Sequence, residues 1–248
     1  IDVPGAVAGW MTLHERFGKL PLEEVMALAI RYAEEGYPVT PNISRLWQEA
    51  FENYSKYRDR PEFQGWFDTF APNNTWLKPG EMFRCPDMAK TLKEIAATKG
   101  ESFYRGAIAE KIDAFFKKHN GFLTKEDLAA FKPEWVDPIS VNYHGVDVWE
   151  LPPNGHGITV LMALQILKDM KLGERDCVDT MHKQIEAMKL AMVDTAQYVA
   201  EPSYMKVSVD QLLSEKYAAK RRALINDQAI MPEPGEPGCP STVYFCCA

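Results

Sequence analysis

Apolar residues return at every third or fourth position through most of the chain, the spacing of one face of a helix. Val7, Trp10, Leu13 and Phe17 predict a helix over 6–17, with Gly18 where a left-handed cap residue would close it. Pro21 fits the first position of a second helix, whose face carries Val25, Leu28, Ala29 and Tyr32 and which Gly36 ends. Pro38 and Pro41 are then expected to break the chain. From Ser44 to Gly80 the pattern degrades into aromatic and polar mixtures, predicting one helix near 44–57 and a Pro-, Asn- and Gly-rich loop after Gly65. Helical spacing returns at 87–98 and 107–118, stopped by Gly100 and Gly121. Thr124 with Asp127 three residues later reads as a capping box, with Asp in place of Glu or Gln, opening a short helix that ends near Phe131.

The period then changes to two. Ile139, Val141 and Tyr143 alternate with polar residues, His144-Gly145 reads as a turn, and Val146 and Val148 resume the alternation, which predicts a hairpin. A tight loop from Pro152 to Gly157 precedes helices expected at 158–170, 179–199 and 209–225. Residues 231–241, rich in Pro, Gly and Glu, cannot build a core and read as a flexible linker. The apolar run 242–248 reads as the start of a buried strand. A strand without partners is unstable, so more chain is expected beyond Ala248. The pattern as a whole is α+β and rich in helix.

Composition adds exclusions. A chain of 248 residues with 46% hydrophobic content can bury a substantial core. A net charge of -7 without a basic block argues against nucleic acid as a partner. No apolar stretch reaches the length of a membrane span. The chain starts at Ile1, inside a motif, which predicts residues upstream and leaves the compartment open between periplasmic or secreted and cytoplasmic. Cys85, Cys177, Cys239, Cys246 and Cys247 lack the short repeated spacing of a zinc site and read as structural thiols. His14, His119, His144, His156 and His182 show no ligand spacing, so no metal is assigned.

Four separated segments carry a resemblance. They are Val3-Pro4-Gly5-Ala6-Val7-Ala8-Gly9-Trp10 running on to Pro21; Phe103-Tyr104-Arg105-Gly106; Gly121 to Ala130; and Pro138-Ile139-Ser140 leading through Tyr143-His144-Gly145 into Pro152-Pro153. In wording, order and distance they resemble the large-subunit region of the gamma-glutamyltranspeptidase family of N-terminal-nucleophile hydrolases. Thr242-Val243-Tyr244 stands where the small subunit of that family begins. The Pro152 loop and the Thr-Val-Tyr start look closer to the cephalosporin-acylase-like branch than to the glutathione-cleaving one.

The resemblance implies an αββα sandwich of which residues 1–230 are the helix-rich large-subunit region. It also implies a precursor that cuts itself at the Ser241–Thr242 bond, making Thr242 the catalytic nucleophile, with no cofactor. A hydroxyl is a poor nucleophile at its free pKa, and an adjacent amine of near-neutral pKa can take its proton. Implied partners are the small subunit of the same precursor, a gamma-glutamyl or related amide (glutaryl and cephalosporin-type amides being the alternative), and water or an acceptor amine. Self-processing also implies that this portion alone is inactive.

No substrate-binding residue is assigned. The Pro152–Gly157 loop is a candidate pocket wall, while His156 is not needed by the mechanism. One departure is that the family commonly has Arg after the Asp matching Asp194, where this chain has Thr195, which predicts lost local ion pairing. The competing reading is a degenerate, non-catalytic homologue serving as a scaffold or binding module.

Overall fold

The structure, a computed structural model, describes residues 2–238. The Ser241–Thr242 junction, the strand expected at 242–248, and Cys239, Cys246 and Cys247 lie outside the described residues. The chain forms two compact units, the first ending at Glu134 and the second beginning at Trp135.

The first unit contains α1 (Ala6–Phe17), α2 (Leu22–Glu35), α3 (Pro41–Ser55), α4 (Gln64–Phe70), α5 (Pro86–Thr98), α6 (Glu101–Arg105), α7 (Ala107–Lys118) and α8 (Lys125–Ala130). Strands β1 (Tyr37–Pro38) and β2 (Met82–Phe83) pair antiparallel. Helices α1, α2, α5 and α7 follow the predicted periodicity to within two residues at each end. Gly18 does close α1, but in extended rather than left-handed geometry, with φ -64°. It is needed there for space, since a Cβ would lie 2.4 Å from the His14 carbonyl oxygen.

Two expectations fail between 38 and 80. Pro41 starts a helix instead of breaking the chain, because its missing N–H falls in the first turn and Thr40 caps the Ile43 N–H at 3.4 Å. The loop expected after Gly65 is instead helical through Phe70. Here α4 buries Phe67 and sets Phe70 in a stack on Phe83 at 5.8 Å, which Trp47 meets edge-on at 4.8 Å. Aromatic packing overrides local turn propensity in this stretch.

The motifs behind the resemblance meet in the core of this unit. The buried Tyr104 hydroxyl donates to Pro4 O at 2.7 Å and accepts the Ala8 N–H at 3.0 Å, joining the first motif to the second. Its ring stacks on Phe131 at 5.7 Å. Arg105 holds Glu101 with two nitrogens, at 2.7 and 2.8 Å. Thr124 and Asp127 form the predicted capping box, and those hydrogen bonds hold the Asp127 carboxyl below its ordinary pKa. These motif residues build the scaffold.

The second unit contains the hairpin β3 (Ile139–Tyr143) and β4 (Val146–Glu150), followed by α9 (Gly157–Leu167), α10 (Val178–Tyr198), α11 (Val209–Leu212) and α12 (Glu215–Arg222). Tyr143 pairs with Val146, and His144 and Gly145 both have positive φ, 50° and 86°. That is a two-residue primed turn, whose twist matches the flanking strands. Helix α9 is apolar on all sides and accordingly buried, with Ile158 and Leu161 fully enclosed. It ends at Leu167, short of the expected Met170. The single helix expected over 209–225 is two, because the Ser214 hydroxyl accepts the Tyr217 N–H at 3.2 Å and starts α12 afresh. Among the described residues no helix is long and apolar enough to cross a membrane.

Candidate functional site

The catalytic candidates Ser241 and Thr242 lie outside the described residues, so what the structure places is the chain that leads to them. Residues 231–238 have no regular secondary structure, in keeping with their Pro and Gly content. They are nevertheless fastened to the body. The Gly235 N–H donates to Asp194 Oδ1 at 2.8 Å, and its carbonyl accepts the Tyr198 hydroxyl. Arg221 Nη2 donates to Glu233 O at 2.9 Å, and the Gln211 amide donates to Gly238 O. Upstream, Lys189 donates to Ile230 O while the Ile230 N–H reaches Glu186 Oε2 at 3.3 Å.

These contacts gather round a buried charge cluster. Asp194 Oδ2 lies 3.0 Å from Arg221 Nε, with the two side chains 1% and 5% exposed. Local ion pairing at Asp194 is therefore kept, contrary to the expectation drawn from Thr195, because the cation arrives from α12. Burial pushes the Asp194 carboxyl above its ordinary pKa, against the opposing pull of the Gly235 N–H, Tyr217 and Arg221. The Tyr217 hydroxyl faces the same carboxylate without meeting hydrogen-bond geometry, and burial beside that charge raises it strongly. Glu186, also buried, is raised by desolvation, yet Lys189 and the Ile230 N–H outweigh this and leave it below its ordinary value.

Thr195 takes a different role. It donates to Ala191 O at 2.8 Å and meets the Thr159 hydroxyl at 2.7 Å, stitching α10 to α9 inside the core. Both threonines also edge an open groove of about 500 Å³, whose other walls include His156, Met188, Met192 and Val199. The Pro152–Gly157 loop thus contributes His156 to a groove. Gly157 packs so close to Glu150 that a Cβ would fall 2.4 Å from its carboxylate. Cys85 and Cys177 are free thiols. Sequence reasoning missed the Asp194–Arg221–Gly235 cluster. Its one legible signal was an acid on the otherwise apolar face of α10 shared with Ala187, Leu190 and Ala191.

Comparison with known proteins agrees with the resemblance. The chain superposes on the crystal structure of cephalosporin acylase from Bacillus halodurans with a TM-score of 0.91 and 54% identity, over 96% of this chain and 44% of that one. The gamma-glutamyltranspeptidase of Helicobacter pylori gives a TM-score of 0.80 at 28% identity, over 94% and 67%. A glutathione hydrolase proenzyme from Pseudomonas aeruginosa is 33% identical across 93% of this chain, which spans 40% of that relative's length. The family model for gamma-glutamyltranspeptidase matches residues 1–248, and the chain belongs to that family.

Proposed function

We propose that the chain is the large-subunit region, with the processing junction, of a self-cleaving amide hydrolase or acyl transferase. The observation that carries this reading is the whole-chain match to a family whose curated relatives include proenzymes. In the proposed layout residues 1–230 supply helices to an αββα sandwich, 231–241 lead to the junction, and 242–248 open the first strand of the small subunit.

Cleavage begins when the Thr242 hydroxyl oxygen attacks the Ser241 carbonyl carbon. The C–N bond to Thr242 breaks as an ester C–O bond forms, and the nitrogen gains the hydroxyl proton. Water then splits the ester, leaving a Ser241 carboxylate and a Thr242 that carries a free hydroxyl and a free amine. In turnover that amine accepts the hydroxyl proton while the oxygen attacks the substrate amide carbon. The proton passes to the leaving amine, and the acyl group on Thr242 is transferred to water or to an acceptor amine.

The acyl donor is an amide with a remote carboxylate, of gamma-glutamyl type. The 54% identity to an enzyme described as a cephalosporin acylase favours glutaryl or cephalosporin-type amides as a second reading of the donor. N-terminal sequencing of the full-length protein tests the nucleophile: the expected small chain begins at Thr242, and any other start overturns the assignment. Thr242→Ala is expected to abolish both cleavage and turnover of gamma-glutamyl and glutaryl anilides. The ratio of the two anilide activities in the wild type separates the donor readings.

A further inference from the structure

We propose that Asp194, Tyr198 and Arg221 form a positioning site for self-cleavage, a latch that grips the backbone around Gly235 and so presents the Ser241–Thr242 bond for attack. This rests on the function proposed above and names residues that act through the backbone rather than on the reacting atoms. Both polar groups of the Gly235 peptide are taken by side chains of one helix face, the N–H by Asp194 and the carbonyl by Tyr198, four residues apart on α10. Arg221, held against Asp194, grips the carbonyl two residues earlier. No side chain fits at 235: a Cβ there would lie 2.4 Å from Tyr217 Oη and 2.9 Å from Arg221 Cδ.

Core stability alone does not explain this arrangement, because a buried ion pair is often no more stabilising than apolar residues of similar volume. A buried pair that binds two backbone groups of an irregular, proline-bearing segment does something apolar side chains cannot, which is to fix where that segment lies. Gly238, held by Gln211, stands four positions before Thr242, so the nucleophile lies within about 14 Å of a fixed point. With the latch open, the last fastening is at Ile230, and the reach grows to about 43 Å. The volume open to the junction then rises roughly thirtyfold, with a matching fall in its effective concentration at the cleavage geometry.

The test follows cleavage of pulse-labelled full-length precursor by intact mass. Gly235→Ala is expected to slow the appearance of the two chains on the order of thirtyfold. Adding Tyr217→Phe, which deletes the atom the new methyl meets, is expected to recover part of that loss. Tyr198→Phe, with its ring retained and the wild-type circular dichroism spectrum preserved, is expected to slow cleavage about fivefold, the worth of one hydrogen bond. Once cleaved, each variant is expected to hydrolyse gamma-glutamyl or glutaryl anilide with the wild-type kcat/KM.

Wild-type cleavage rates in Gly235→Ala and Tyr198→Phe overturn the latch while leaving the proposed function intact. So does an equal loss of kcat/KM in the cleaved variants, which makes the cluster scaffold only. A wild-type precursor that is never cut before Thr242 removes the function reading and the latch with it.

Discussion

In the first unit ion pairs run along the outside of single helices, Arg45 to Glu49 and Arg105 to Glu101, with every side chain nearly half exposed or more. In the second, Asp194 and Arg221 pair between two helices with almost no exposure, and Glu186 is held by Lys189 with its own side chain 2% exposed. The same charged residue types therefore do unequal work. Exposed pairs keep their water and contribute little, whereas a buried pair has given up its hydration and depends on its partner. The first unit relies instead on aromatic packing, the Tyr104 bridge and helix caps. Contacts that look equivalent by distance, 2.7 to 3.0 Å in both units, thus differ several-fold in what their loss costs.

Removing one half of the buried pair provides the largest test. Asp194→Ala leaves a guanidinium in the core without its counter-charge, and is expected to cost about 3–5 kcal/mol in urea denaturation. Replacing both partners, Asp194→Leu with Arg221→Met, is expected to be less destabilising than Asp194→Ala, since no uncompensated charge remains. A double variant worse than the single would mean that the pair's bonds to Gly235 and Glu233, rather than its charge balance, dominate stability.

Tyr104→Phe comes next. It strips the Pro4 carbonyl and the Ala8 N–H of their shared partner while keeping the ring on Phe131. The expected loss is about 1–3 kcal/mol, measured in the same way, because two partly buried backbone groups lose a hydrogen bond. A loss under about 0.5 kcal/mol would show that water replaces the hydroxyl, and that the motifs joined there are held by packing alone.

What could be read from the sequence divides along a similar line. Helices α1, α2, α5 and α7, the Thr124–Asp127 box and the His144-Gly145 hairpin turn are specified by neighbours a few residues apart, and periodicity and turn chemistry found them. The β1–β2 pair joins Tyr37 to Phe83, and α4 forms because its aromatics pack on residues from both sides of that pairing. Neither is encoded within a short window. The grip on Gly235 depends on acids, a base and a hydroxyl spread from 194 to 235, so a composition that reads as a flexible linker hides a segment with fixed partners. The Ser241–Thr242 junction was the reverse case, recognised by motif alone.

Titration separates the two kinds of carboxylate by sign as well as size. Asp127 is held below its ordinary value by Thr124, so its support for α8 is present above the ordinary carboxylate range and is lost as pH falls through the folded value. Asp194 is raised by burial, so the folded state binds more protons than the unfolded one, and stability falls as pH climbs from the ordinary aspartate value through the raised one. Asp194→Asn is expected to remove that downward slope, while Thr124→Ala costs about 1 kcal/mol as a lost cap. Stability measured against pH in both variants checks the pair of signs.

The smallest effect is expected at the exposed pair on α3. Arg45 and Glu49 face each other at i and i+4 with side chains 61% and 53% exposed, so both ions stay hydrated and each gives up side-chain freedom to meet. Arg45→Ala also trades one good helix former for another, which removes propensity as a confounding term. The expected change is under about 0.5 kcal/mol in low salt, shrinking further as salt screens the pair. A loss above about 1 kcal/mol that persists in high salt would mean that Arg45 stabilises through packing of its stem on α3. The contrast between the units would then rest on depth of burial of the whole side chain, and no longer on the hydration of its charge.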